Sequence, residues 1–213
     1  LMQLTRLIAV RHGETDWNQA TRIQGQLDIA LNANGQWQAG RAAQALADEP
    51  IAAVYSSDLQ RAADTARAIA QPHRLNVQFD TELRERHFGD MQGLTWQTIY
   101  DQHPDVAHAW RARVPDFAPH GGETLLALQS RVATVVQRLA QAHTGELIVL
   151  VAHGGILDML YRLATGVALP VKREWDLSNA AINRLLWTPQ GLQLLAWGDR
   201  RHLEDDALDE TTT

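Results

Sequence analysis

Apolar residues along this chain recur with two different periods, and the alternation between them predicts the fold. Short uninterrupted apolar runs at Leu7–Val10, Ile51–Tyr55 and Leu147–Ala152 read as strands buried on both faces. Leu75–Phe79 reads as a further strand. Between these runs the apolar positions fall at helical spacing. An alanine-rich helix over Asn34–Asp48 stops before Pro50, and a second over Leu59–Ala70 stops before Pro72. The Ser56-Ser57-Asp58 cluster supplies N-cap candidates for the second helix. Thr95–Arg113 is helical but cut in two at Pro104. Leu125, Leu128, Val132, Val135, Val136 and Leu139 draw one stripe on the clearest helix, which begins near Glu123 and takes Gly145 as its C-cap glycine. Ile156–Ala164 predicts one more helix. Ala181–Trp187 and Leu192–Trp197, on either side of Pro189-Gln190-Gly191, predict an antiparallel hairpin. The glycine-punctuated stretches 16–31 and 115–122 read as loops.

Strands alternating with helices predict an α/β protein: a three-layer α/β/α sandwich around a mostly parallel sheet, as one domain over residues 1–213. Within it, residues 90–122 are expected to form a lid or insert, and the acidic stretch 204–213 a frayed tail.

Composition narrows the function classes. The 213 residues are 45% hydrophobic, enough for a sizeable core, and the net charge of −6 speaks against a general nucleic-acid binder. An anionic substrate stays open, because only the local potential of a pocket matters to it. There is no cysteine, which excludes disulfides, thiolate catalysis and cysteine metal sites. Leu4–Val10 is too short for a secretory hydrophobic region and is broken by Thr5 and Arg6. No apolar run reaches the roughly 20 residues that cross a membrane. The expectation is a cytoplasmic protein without membrane or nucleic-acid partners.

The chemistry gathers at two strand tips. Leu7-Ile8-Ala9-Val10 runs into Arg11-His12-Gly13-Glu14-Thr15, and the strand ending at Ala152 runs into His153-Gly154-Gly155. In an open α/β sheet, groups at the carboxyl ends of strands face the ligand crevice. One such histidine is as often structural as functional; two, with arginines beside them, point to an anion site. Arg11, and Arg61 in the first turn of the helix after Ile51–Tyr55, offer forked donors to phosphoryl oxygens. Asn18 can add a neutral donor, and the backbone at Gly154 allows a ligand close approach. In a chain without cysteine, His12 is the best nucleophile for a phosphoryl group, forming a phosphohistidine that water then hydrolyses. His153 can stabilise the group in transfer. For the proton donor and acceptor, Glu85 competes with Glu82 three residues away. No His-Glu-x-x-His spacing or carboxylate-rich loop stands out, so neither metal nor cofactor is expected.

Arg11-His12-Gly13-Glu14-Thr15, with Arg61, Glu85 and His153-Gly154 at their spacings, resembles the histidine phosphatase superfamily, in the branch of cofactor-dependent phosphoglycerate mutases and smaller related phosphatases. The likeness runs from about Leu4 to Trp197. It implies a phosphoglycerate mutase-like fold, His12 as the phosphorylated residue and Glu85 as the proton donor. It also implies that Arg11, Arg61 and His153 form the phosphate pocket, with Asn18 as a further contact and Gln24-Gly25 in the substrate loop.

Glu85 and His153 lie only 68 positions apart, without the longer insert typical of the mutases, which favours an open site and hydrolysis. The expected activity is therefore metal-independent hydrolysis of a small phosphorylated metabolite. The alternative is a cofactor-dependent phosphoglycerate mutase, and a non-catalytic phosphate reader stands behind both. The stretches Arg22–Asp28, Gly89–Thr95 and Ala118–Glu123 resemble the glucosyl-3-phosphoglycerate phosphatases and their broad-specificity relatives. Arg111, Arg113 and His120 are lid candidates for a substrate carboxylate or sugar, with solvated surface charges as the plainer reading. Trp17 and Trp110 are the tryptophans expected near the pocket. Branch members are often dimers, and an apolar hairpin around Leu192–Trp197 is compatible with a homodimer.

Overall fold

The computed structural model describes residues 3–204. Six strands form one sheet in the order β3-β2-β4-β1-β5-β6. They are β1 (Thr5–Arg11), β2 (Ile51–Ser56), β3 (Val77–Phe79), β4 (Leu147–Ala152), β5 (Ile182–Thr188) and β6 (Gly191–Asp199). The first four run parallel, and β5 and β6 are antiparallel to their neighbours. The mostly parallel sheet is therefore confirmed, with the antiparallel part confined to the predicted hairpin.

Side chains alternate across the sheet, and each face carries its own core. Leu7, Ala9, Ile148 and Leu150 pack toward α6 (Leu125–Gln141) and α7 (Gly154–Thr165). Ile8, Val10, Val149 and Val151 pack on the other side, toward α2 (Ala33–Ala45) and α3 (Gln60–Ala70). Every residue of β4 is buried, as its unbroken apolar run requires. The three layers follow directly. A third, smaller cluster stands apart: Ile23, Met91, Ile99 and Ala107, with Phe88, Trp96 and Trp110 against them. It is built around α4 (Trp96–Gln102) and α5 (Pro104–Arg111), the two pieces into which Pro104 divides the predicted helix.

Several local expectations need correction. The stretch after β1 is not all loop: Thr15 caps a one-turn helix, α1 (Asp16–Gln19), in a capping box closed by Asn18. The N-cap of α3 is Leu59, with no side-chain cap bond, so Ser56, Ser57 and Asp58 do not serve it. Ser57 is buried and spends its hydroxyl elsewhere. Gly145 is not the C-cap of α6, which closes at Ala142. Instead Gly145 adopts φ +83 and donates its N–H to Leu4 O (2.6 Å), fastening the turn before β4 to the start of β1. The predicted frayed tail falls, beyond Glu204, outside the described residues.

Sheet order is what joins the two histidines. β1 and β4 are neighbours, with Arg11 paired to Ala152, and the His12 N–H donates to Ala152 O (3.0 Å). Both tips emerge side by side at the carboxyl edge, where the chain reverses its direction of travel across the sheet.

Candidate active site

The rings of His12 and His153 lie 5.2 Å apart, tilted by 54°, and both are buried. His12 Nδ1 sits 2.6 Å from Gly13 O. A carbonyl can only accept, so Nδ1 carries the proton and Nε2 keeps its lone pair. His153 Nε2 shares a hydrogen bond with Ser57 Oγ (2.7 Å), and its Nδ1 has no partner. Burial lowers both imidazoles well below their ordinary pKa, and the charges of Arg61 and Arg11 push the same way. His12 is therefore a neutral base.

Both imidazoles stay neutral in the fold while the unfolded chain takes up protons near pH 6.5, so the fold loses stability as pH falls below that value. Denaturation midpoints should drop between roughly pH 7 and 5, and His12→Asn should flatten part of that slope. A slope unchanged by the substitution would refute the assigned neutral state.

Two arginines reach this centre, one from the end of β1 and one from α3. Arg61, in the first turn of α3, is 1% exposed and donates Nη1–H to Leu27 O (2.6 Å) and Nη2–H to Gly25 O (2.7 Å). Arg11 donates Nη1–H to Leu177 O (2.6 Å). The Nε atoms of both arginines are buried without a partner. Burial lowers both guanidiniums, Arg61 to about 10, which leaves Arg61 charged at neutral pH. Buried donors left unpaired are costly, and together with His153 Nδ1 they form a set that an anion would satisfy.

Glu85 closes the site. Its Oε2 accepts the Gly155 N–H (3.0 Å) and its Oε1 the Arg86 N–H (2.6 Å). A Cβ built on Gly155 would overlap Glu85 Oε1, so any larger residue there must push the carboxylate out of its position. The loop carrying Glu85 is held by Arg131, which donates to the carbonyls of Glu82 and Arg84 (2.6 and 2.8 Å) and pairs with Glu123. Glu82 is exposed outside the cavity, which separates the two acid candidates geometrically.

The remaining candidates sit on the adjoining loop. Gln24 is buried, and its Oε1 accepts from Thr15 Oγ1 (2.7 Å). Gly25 takes φ +53 and offers its carbonyl to Arg61. Asn18 Oδ1 accepts the Thr15 N–H (3.0 Å), which fixes its amide beside the cap. Gln24 and Gly25 thus make protein contacts, one holding Thr15 and the other Arg61.

A cavity of about 530 Å³ meets this centre at Arg11, Glu85, Gly154 and Gly155, while His12, His153 and Arg61 stay buried behind its lining. Farther out its walls are Arg86, Arg113, Trp96, Trp110 and Arg173. Of the lid candidates, only Arg113 faces it. Arg111 stacks over Tyr100 (3.6 Å), and His120 pairs with Asp90 at the surface (2.9 Å). Trp110 lines the cavity as expected, whereas Trp17 packs under Arg22 instead.

Sequence reasoning missed Ser57 and Asn179. Asn179 donates Nδ2–H to His12 O (3.0 Å), fixing the strand tip from the segment before β5. Partners 96 and 167 positions away carry no local signal.

Residues 7–200 match the model of the histidine phosphatase superfamily (branch 1). The chain belongs to this superfamily. The chain is 43% identical to phosphoglycerate mutase-like protein 4 of Arabidopsis thaliana over 208 residues, covering 93% of this chain and 87% of the relative. It is 38% identical to the metal-independent phosphoserine phosphatase of the same plant, over 94% and 84% of the two chains. A mycobacterial glucosyl-3-phosphoglycerate phosphatase solved with VO3 superposes with a TM-score of 0.83 at 35% identity, over 92% of this histidine phosphatase and 99% of that chain.

Proposed function

We propose that this phosphatase hydrolyses a small phosphorylated metabolite through a phosphohistidine on His12, with no metal in the reaction. The observation that carries the reading is the free Nε2 of neutral His12 beside two buried, unpartnered guanidinium donors, Arg11 Nε and Arg61 Nε, with His153 Nδ1 becoming a third when Ser57 Oγ–H donates to its Nε2. Phosphoryl transfer needs positioned positive charge more than covalent help, and these donors supply it. Nε2 attacks phosphorus in line, the P–O bond to the alcohol breaks, and Glu85, entering protonated, gives its proton to the departing oxygen. Glu85, now ionised, takes a proton from water as that water attacks phosphorus. The P–N bond breaks, and His12 returns to its neutral form with inorganic phosphate released.

Asn18, Gly154 and the Gln24-Gly25 loop complete the phosphoryl pocket in this reading, and residues 90–122 act as the lid of a single domain. The open cavity suits water entry, which favours hydrolysis over mutase transfer. Glycerate, seryl and sugar phosphates head the substrate candidates, because the relatives' names point to them. No helix of the described residues is long and apolar enough to cross a membrane. The reading places the enzyme in the cytoplasm and pairs two copies along the outer edge of β6, where Leu195 is exposed. A single monomer species in sedimentation at micromolar protein would refute that pairing.

The test is initial-rate hydrolysis across glucosyl-3-phosphoglycerate, phosphoserine, phosphoglycerates, sugar phosphates and nucleotides, with phosphoglycerate mutase turnover followed alongside. Release of phosphate, undiminished by a strong chelator, is the expected outcome. Activity lost to chelation and restored by Mg²⁺ would overturn the metal-free mechanism, and phosphoglycerate interconversion would overturn hydrolysis.

A further inference from the structure

Behind the outer wall of the cavity lies a buried node that phosphoryl chemistry does not use. Arg162, on α7, is 1% exposed. It donates Nε–H to Asp158 Oδ2 (3.0 Å), Nη1–H to Ala168 O (2.6 Å) and Nη2–H to Val171 O (2.8 Å). The Trp175 ring lies over it at 4.7 Å and stacks in turn on Tyr161. Only a planar fork can meet three acceptors spread over this geometry, so lysine would not replace it. Asp158 Oδ2 also accepts Arg113 Nη2–H (2.9 Å), and Leu169 O accepts Arg113 Nε–H (2.7 Å). One node thus fastens both Arg113 and the segment that follows α7.

Beyond the anchor, that segment supplies Arg173, Asp176, Leu177 and Ser178 to the cavity wall. Arg11, Arg86 and Arg113, the other guanidiniums of the cavity, each donate to protein oxygens. Among the described residues Arg173 makes no hydrogen bond or ion pair, yet its charge acts on Arg11 and Arg113. A cation on a cavity wall with no protein partner is available to a ligand.

We infer that Arg173 is a specificity-determining residue that binds an acidic group on the alcohol part of the ester, with Arg162 as the positioning residue that sets it there. The inference rests on the phosphomonoesterase reading above. Charge selects an acid over an ammonium group. Arg86, Arg113, Arg162 and Arg173 outnumber the carboxylates Asp158 and Asp176 in this wall and its anchor, and Asp158 is shared by two guanidiniums. Asp176 accepts from Ser178 Oγ (2.5 Å) and makes no ion pair with Arg173. The aromatic faces of Phe88, Trp96 and Trp110 give the carbon skeleton an apolar side to lie on.

The experiment compares kcat/KM for 3-phosphoglycerate with that for glycerol 3-phosphate, esters that differ by one carboxylate, in wild type, Arg173→Gln, Arg173→Lys and Arg162→Met. Wild type should favour the acid. That ratio should fall roughly tenfold in Arg173→Gln, mainly through KM, as loss of a charged hydrogen bond at an exposed site implies. Arg173→Lys should restore most of it, added salt should shrink the wild-type ratio, and Arg162→Met should lower it in the same direction. No wild-type preference, or an Arg173→Gln ratio within about twofold of wild type, would overturn the inference. Should Arg162→Met fail to fold, Arg173→Gln still decides. Wild-type protein unable to hydrolyse even p-nitrophenyl phosphate would instead overturn the phosphatase reading, and the inference with it.

Discussion

Replacing His12 by alanine should lower kcat by at least about 10⁴-fold while vanadate or phosphate binding survives, because the nucleophile goes and the arginines stay. Tight binding without turnover is the signature to seek, by calorimetry beside a phosphate-release assay. The expectation follows from placement. His12 Nδ1 is committed to Gly13 O, so the ring cannot flip its roles, and Nε2 is the one lone pair available. Arg11 and Arg61 take their positions from Leu177, Gly25 and Leu27 rather than from the imidazole, so they should survive its loss. A phosphate reader would keep its function in this variant. An enzyme that used another nucleophile would keep measurable turnover.

The second large effect is expected from Glu85→Gln, and its size should depend on the leaving group. General acid catalysis contributes roughly 10² to 10⁴, and it matters only where the departing alkoxide is a strong base. Alkyl phosphates should therefore lose about 10²-fold or more in the phosphorylation step, while p-nitrophenyl phosphate loses far less. Glutamine keeps the shape and one acceptor, so the Gly155 and Arg86 contacts can be partly retained. Single-turnover rates on the two ester classes separate this step from hydrolysis of the intermediate. An equal fall on both would remove Glu85 from the acid role.

Much of the frame behind these expectations was legible in the sequence, because it is written in local patterns. Apolar runs such as Leu147–Ala152 must be buried on both faces, and a His-Gly at the end of each central strand is visible without knowing the sheet order. What the sequence could not show was that β1 and β4 are neighbours; that is a matter of crossover connections, and it converts two histidines into a pair. Supporting contacts were hidden for the same reason. Ser57 looked like a helix cap, since serine after a strand usually serves the next helix. Its hydroxyl instead meets His153, across a separation that no local rule spans. Gly145 looked like a helix terminator, but the helix closes three residues earlier and Gly145 shapes the turn into β4. Among the lid candidates, charge alone could not rank Arg111, Arg113 and His120. The Asp158 carboxylate, on a distant helix, is what draws Arg113 to the cavity. Arg173 gave no signal at all, because its meaning comes from the anchor formed by Arg162.

The phosphohistidine on His12 is the centre of the account, and it can be caught. Enzyme mixed with substrate is quenched in base within the first turnover and digested, and the peptide carrying Leu7–Thr15 is read by mass spectrometry. The account predicts one phosphoryl group on His12, stable to base, lost in acid, and absent from His12→Ala. Steady turnover with that peptide unmodified throughout, or the phosphoryl group found on His153 instead, would contradict it.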